Sequence, residues 1–239
     1  MRPALLLAVV VLAAGCGDDD AADERLTVYA AASLTEVFQR LAPDTRFNFA
    51  GSDELATQIR EGARADIYAA ASPRYPAELH DEGLVEVPRV FATNRLVVVL
   101  PAENPAEIRS LDNLAREGVK LVIGAEGVPI GDYTRAVLRA GGRTDILDRV
   151  VSQEEDVKGV LGKVRLGEAD AGFVYATDAR VGGSAVQTIE LPSSVQAEVR
   201  YPVAILRSTE RREDAEAFVK LLLSPRGQEV LRQAGFAPR

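Results

Sequence analysis

The chain has 239 residues, 47% of them hydrophobic, with 28 basic against 36 acidic side chains and a formal charge of −8. That is enough apolar matter for one large core or two smaller ones, while the lack of any long basic run removes the footprint that nucleic acid or an anionic lipid surface would need. With no Trp and 5% aromatics, a stacking platform for sugars or bases has little to be built from.

Residues 1–15, MRPALLLAVVVLAAG, carry one positive charge at Arg2 and an apolar run from Ala4 to Ala14. The run is too short to span a bilayer and suits the middle of an export signal. Ala13-Ala14-Gly15-Cys16 resembles the bacterial lipoprotein box, which implies cleavage before Cys16, the sole cysteine, and attachment of lipid to its sulfur. Ordinary secretion with a small-residue cleavage site is the alternative. Residues 16–25 then form an acidic tether that has nothing to bury and repels itself. The expectation is an exported protein, lipid-anchored to the outer face of the cell membrane.

LTVYAAA at 26–32 predicts a strand, and TEVFQRLA at 35–42 predicts a helix with Val37, Phe38 and Leu41 on one face. TRFNFA at 45–50, ADIYAAA at 65–71, RLVVVLP at 95–101, KLVIGAE at 120–126 and AGFVYA at 171–176 predict further strands. DVKGVLGKVRLG at 156–167 places Val157, Val160, Leu161 and Val164 at helical spacing with Gly167 as a stop. SPRGQEVLRQAG at 224–235 opens on a Ser-Pro cap and ends at Gly235. Such alternation predicts an α/β architecture with largely parallel, buried sheets.

VYAAAS at 28–33 is echoed by IYAAAS at 67–72. Ser72 precedes Pro73 and reads as an N-cap. Ser33 has Glu36 three residues on, the spacing of a capping box, so Ser33 reads either as a cap or as a residue at a place cleared for a ligand by small neighbours. Tyr29 and Tyr68 read as packing residues. His80, the only histidine, lies beside Asp81 and Glu82 and reads as a solvated helix-end residue. One histidine and a signal-boundary cysteine leave no histidine or thiolate metal site. No G-x-S-x-G elbow occurs, no glycine run has phosphate-loop spacing, and adjacent tyrosine pairs are absent.

An ordered set of segments resembles the molybdate-binding proteins of bacterial ABC transporters: LTVYAAASLTEVF, FAGSDELATQIREGARADIY, NRLVVVLP, VPIGDYTRAVL, EEDVKGVL, GFVYATDA, VRYPVAIL and LLLSPRGQEVLRQAGF. The resemblance runs from Leu26 to the C-terminus. It implies the two-lobed type II periplasmic-binding-protein fold, two α/β domains joined by two crossover strands, with lobe 1 formed by 26–97 and 203–239 and lobe 2 by 98–202. NRLVVVLP and VRYPVAIL are the candidates for the crossing strands. It also implies an oxyanion site made by the hydroxyls of Ser33, Ser52 and Tyr175 and the backbone N–H groups of Ile130 and Val157. The ligand would be molybdate or tungstate and the partner a membrane permease, with no cofactor, no enzymatic activity and a monomeric chain.

Uncharged donors suffice for such an ion. Helix starts offer unpaired N–H groups and a favourable dipole, and hydrogen bonds to an ion are stronger than neutral ones. A shell of donors without an inward acceptor disfavours an oxyanion that keeps a proton, such as hydrogen phosphate. Between sulfate, molybdate and tungstate only size differs appreciably, so sulfate or another oxyanion is the alternative within the class. The alternative outside it is an enzyme using Ser33 or Ser52 as nucleophile on a small anion, for which no general base is in sight. Relatives often carry a small or hydroxyl residue at Asp53 and alanine at Ile130. Asp53 and Glu54 are expected in the first turn of a helix, facing solvent, and a backbone donor at 130 tolerates a changed side chain if Gly131 keeps the turn open.

Overall fold

The computed structural model describes residues 25–238, so the expected export signal, Cys16 and the expected tether up to residue 24 lie outside the described residues. The first lobe runs through β1 (Thr27–Ala31), α1 (Thr35–Leu41), β2 (Arg46–Ala50), α2 (Ser52–Arg60), β3 (Ile67–Ala69), α3 (Arg74–Asp81) and β4 (Arg89–Asn94). The second holds β5 (Leu96–Pro101), β6 (Leu121–Gly124), α4 (Pro129–Ala140), β7 (Val150–Glu154), α5 (Val157–Arg165), β8 (Ala171–Tyr175), α6 (Ala176–Gly182) and β9 (Val186–Glu190). The chain returns to the first lobe with β10 (Val199–Ile205), α7 (Arg212–Leu223) and α8 (Pro225–Ala234).

The strand order is β2-β1-β3-β10-β4 in one sheet and β7-β6-β8-β5-β9 in the other. In each sheet the first three strands are parallel and the last two join antiparallel. This corrects the expectation of largely parallel sheets. The reason is the double crossing: β5 and β10 are the strands by which the chain enters each lobe, and each runs antiparallel to both of its sheet neighbours.

Local chemistry explains the elements that carry the cleft. Leu96, Val97, Val98, Val99 and Leu100 of β5 are all buried, as a strand covered on both faces requires. Helix α5 starts where the Asp156 carboxylate accepts from Gly159 N–H at 2.9 Å, and it stops ahead of Gly167, whose φ is +71°. Ser224 caps α8 through Gly227 N–H at 3.1 Å, Pro225 takes the first helical position, and Gly235 closes the helix at φ +101°. Each such cap contributes about 1 kcal/mol.

Sheet membership moves the crossing points away from 97 and 202. Leu96 already pairs with Tyr175 of the second lobe, and Val199 already pairs with Asn94 of the first. NRLVVVLP holds the first crossing at its start, between Asn94 of β4 and Leu96 of β5, whereas VRYPVAIL lies wholly in the first lobe, because a strand must satisfy its N–H and C=O groups along one ladder. The chain crosses at Arg95 and again within 191–198. Gln196 ties the crossings together, accepting from Leu96 N–H and donating to the Leu96 carbonyl, both at 2.9 Å.

Candidate functional site

Four helices begin at one small cavity between the lobes. Its wall is Ala31, Ala32, Ser33, Ala50, Gly51, Ser52 and Ala71 on one side and Val128, Pro129, Asp156, Val157 and Tyr175 on the other. Ser52, Pro129 and Val157 are the first residues of α2, α4 and α5, and Tyr175 is the N-cap of α6. The first N–H groups of a helix have no partner within it and its dipole is positive there, so the cavity gains positive potential without a Lys or Arg in its wall. The Asp156 carboxylate is committed to capping α5.

The cavity measures about 20 Å³; roughly 10–15 Å³ is what one ordered water needs. That size admits a compact ion and excludes a sugar, an amino acid or a nucleotide. A larger hollow of about 660 Å³ lies on the first lobe between β10 and α7, lined by residues of that lobe alone and remote from the converging helix starts.

The hydroxyls at the wall have defined proton directions. Ser52, 1% exposed, accepts from Ala71 N–H at 3.0 Å; the backbone group can only donate, so the serine proton is left for the cavity. Tyr68 donates to the Ser52 carbonyl at 2.5 Å, a specific role beyond the packing expected of it. Ser33 does not cap α1. It lies in a 3-10 turn, Ala32–Leu34, and its hydroxyl pairs with that of Tyr201 at 2.9 Å. Tyr175 is fully enclosed and its hydroxyl has no hydrogen-bond partner. Burial, the largest effect, and the nearby Tyr201 hold its ionisation well above the ordinary tyrosine range, so it stays a donor.

Ile130 itself does not line the cavity; its side chain is buried, packed over Gly124. Because Pro129 has no N–H, the first one of α4 belongs to Ile130. Gly131 behaves as expected: a Cβ there would lie 2.0 Å from the Ala125 carbonyl oxygen. Asp53 departs from expectation. It is partly enclosed, its Oδ1 has no partner, and burial raises its carboxyl above the usual range, with Asp132 adding to the shift, whereas Glu54 is exposed. Ser72 accepts from Arg74 N–H at 3.3 Å but is not the N-cap expected of it: α3 begins at Arg74, so the cap position falls to Pro73. His80 faces the Val85 carbonyl at the end of α3, apart from the cavity.

Contacts between the lobes hold the cavity shut. Lys158 reaches Glu36 at 2.5 Å, Tyr75 donates to the Gly127 carbonyl, Arg74 lies 3.7 Å from Asp132, and Asn94 donates to Thr177 at 2.9 Å. Partly exposed ion pairs of this kind contribute about 0–1 kcal/mol each. Backbone approach is tighter still: a Cβ on Gly51 would sit 2.6 Å from the Glu155 carbonyl oxygen across the cleft. Sequence reasoning missed Gly51 in this role, along with Asn94, Tyr201 and Asp178, although the small residue before Ser52 was a usable signal.

Two α/β lobes, two crossings and a donor-lined cavity clamped between them define a solute-binding protein of the type II class. Over residues 26–237 the chain matches the family described as bacterial extracellular solute-binding protein, and it belongs to that family. It is 37% identical over 222 residues to the molybdate-binding protein ModA of Mycobacterium bovis, covering 89% of this chain and 84% of the relative. It is 31% identical to ModA of Haemophilus influenzae with 100% of both chains covered. The periplasmic molybdate-binding protein of Azotobacter vinelandii shares the fold at a TM-score of 0.81 and 21% identity, covering 90% of this chain and 100% of that one.

Proposed function

We propose that the protein captures molybdate, with tungstate as the near analogue, outside the cytoplasm and delivers it to the permease of an ABC importer. One observation carries this reading: the Tyr175 hydroxyl is buried in the cavity wall without a partner, and a buried donor left unpaired costs about 1–3 kcal/mol unless a ligand takes it up. In this reading Ser33, Ser52 and Tyr175 donate O–H bonds to the oxyanion and Ile130 and Val157 donate N–H bonds, two side chains from one lobe and three groups from the other. A ligand held from both sides favours the shut form, which the permease would then engage. The ModA relatives support molybdate as the ion.

Titration calorimetry with molybdate, tungstate, sulfate and phosphate tests the reading. Molybdate and tungstate are expected to bind and phosphate to be rejected; a protein that takes up no tetrahedral oxyanion overturns it. Ser33→Ala and Ser52→Ala should each cost about 1.5–3 kcal/mol of binding free energy, as for hydrogen bonds to a charged group. Unchanged affinity in both would remove these residues from the site while leaving the function standing.

Lipid on Cys16 would keep the protein beside its permease, and the chain would act as a monomer. Membrane-fraction recovery in cells should be lost on Cys16→Ser; recovery that persists rejects the anchor.

A further inference from the structure

We infer that Tyr201 is a positioning residue that turns the Ser33 hydroxyl into an obligate donor and so sharpens selection against oxyanions that carry a proton. The inference rests on the oxyanion reading and adds to it a residue outside the cavity wall. It follows from counting hydrogens along one buried chain of contacts.

The chain starts at the first crossing. Arg95 N–H donates to an Asn94 side-chain oxygen at 2.9 Å; a backbone N–H can only donate, so the other end of that amide is the NH2 group. One of its hydrogens goes to Thr177 Oγ1 at 2.9 Å, across the lobes. The hydroxyl of Tyr201 is fully buried and its hydrogen-bond partner is Ser33 Oγ, 2.9 Å away; its proton would be stranded in the core if Ser33 were the donor, so Tyr201 donates. The nearby Asn94 amide favours the phenol oxygen as an acceptor and supports the same direction. Ser33 in turn accepts from Tyr201 and sends its proton into the cavity.

Ser52 reaches the same state by another route, through the N–H of Ala71. No side-chain substitution can reverse that bond. The direction at Ser33 depends on a phenol and an amide, and this makes it testable. An oxyanion that keeps a proton, such as hydrogen phosphate, needs an acceptor for it. With Tyr201 in place the Ser33 lone pair facing that way is taken; without the phenol hydroxyl it becomes available.

Tyr201→Phe is the direct test. The ring stays packed against Phe91, Tyr175 and Phe236, so only the hydroxyl is lost. Affinities for molybdate and phosphate are measured in slightly alkaline buffer, phosphate by competition. The variant should bind molybdate about three- to tenfold more weakly, and the ratio of molybdate to phosphate affinity should fall by about tenfold. On a Ser33→Ala background the same substitution should leave the ratio unchanged, since the group it acts through is gone. Asn94→Asp provides a second route: a carboxylate there accepts the Tyr201 proton, reverses the chain and lowers the same ratio without touching either hydroxyl residue. A purely structural role would weaken both ions equally. A folded variant of either kind that keeps the wild-type ratio, or a ratio that still falls without Ser33, overturns the inference alone. A wild-type protein that binds neither ion overturns the functional reading and this one with it.

Discussion

Asp178 lies one turn past Tyr175 on α6, 1% exposed, and neither of its carboxylate oxygens has a hydrogen-bond partner. Burial is the main reason its pKa is pushed from 3.8 up to about 7; Lys158, with Nζ 3.9 Å away, works against the shift, and Glu36 and Asp156 add to it. Because the folded-state value is raised, the folded chain holds a proton between roughly pH 4 and 7 that the unfolded chain has given up. Stability is therefore greatest below this window and declines as pH rises through about 7, by an amount on the order of a few kcal/mol. Asp178→Asn removes the ionisation and keeps the shape. Its thermal midpoint should vary less than that of wild type between about pH 5 and 8 and should exceed it at the alkaline end. A variant with the same pH profile as wild type would show that the decline arises elsewhere. Ser33 and Tyr201 show the same dependence of a single group on its surroundings: the hydroxyl seen at the capping-box spacing is hydrogen-bonded to a residue 168 positions away.

At the scale of elements the periodic signals were legible wherever burial was strong. The six strands expected from apolar runs and the three expected helices are all present. The strands that gave no signal, β4, β7 and β9, are all at sheet edges. Half or more of each of β7 and β9 is polar, and each meets a neighbour on one side only, so neither needs the continuous apolar run that marks a central strand. The repeated YAAAS also gains a meaning. β1 and β3 are parallel neighbours with Tyr29 opposite Tyr68 and Ala30 opposite Ala69, so the two runs end side by side at the cavity. Small residues recur there because helix starts and a ligand must approach the backbone closely. What local pattern could not carry is long-range pairing. The positions of the crossings depend on which sheet supplies ladder partners, and Asp53 is enclosed because the other lobe lies over its helix start.

The molecule as a whole works only if the two lobes meet, and at Gly51 their backbones lie close together. Its φ of −57° and ψ of 141° suit alanine, so Gly51→Ala leaves the first lobe unstrained. The added carbon would nevertheless lie 2.6 Å from the Glu155 carbonyl oxygen of the second lobe, inside any tolerable contact, and 2.8 Å from an Asp53 oxygen that can turn aside. Since the Glu155 oxygen belongs to backbone that leads directly into α5, it cannot yield without moving Val157. The lobes would have to stop short, which separates Tyr175, Ile130 and Val157 from Ser33 and Ser52 and would break the proposed shell of uncharged donors. The unliganded variant should melt within about 2 °C of wild type, as expected of a substitution that strains neither lobe. Its oxyanion affinity should fall by more than about tenfold, because only closure recruits the second set of donors. Small-angle scattering separates this from a local defect in the pocket: added ligand should contract the wild-type protein and leave the variant larger. A variant that binds and contracts as wild type does would mean that the lobes do not approach at Gly51 as closely as the structure has them.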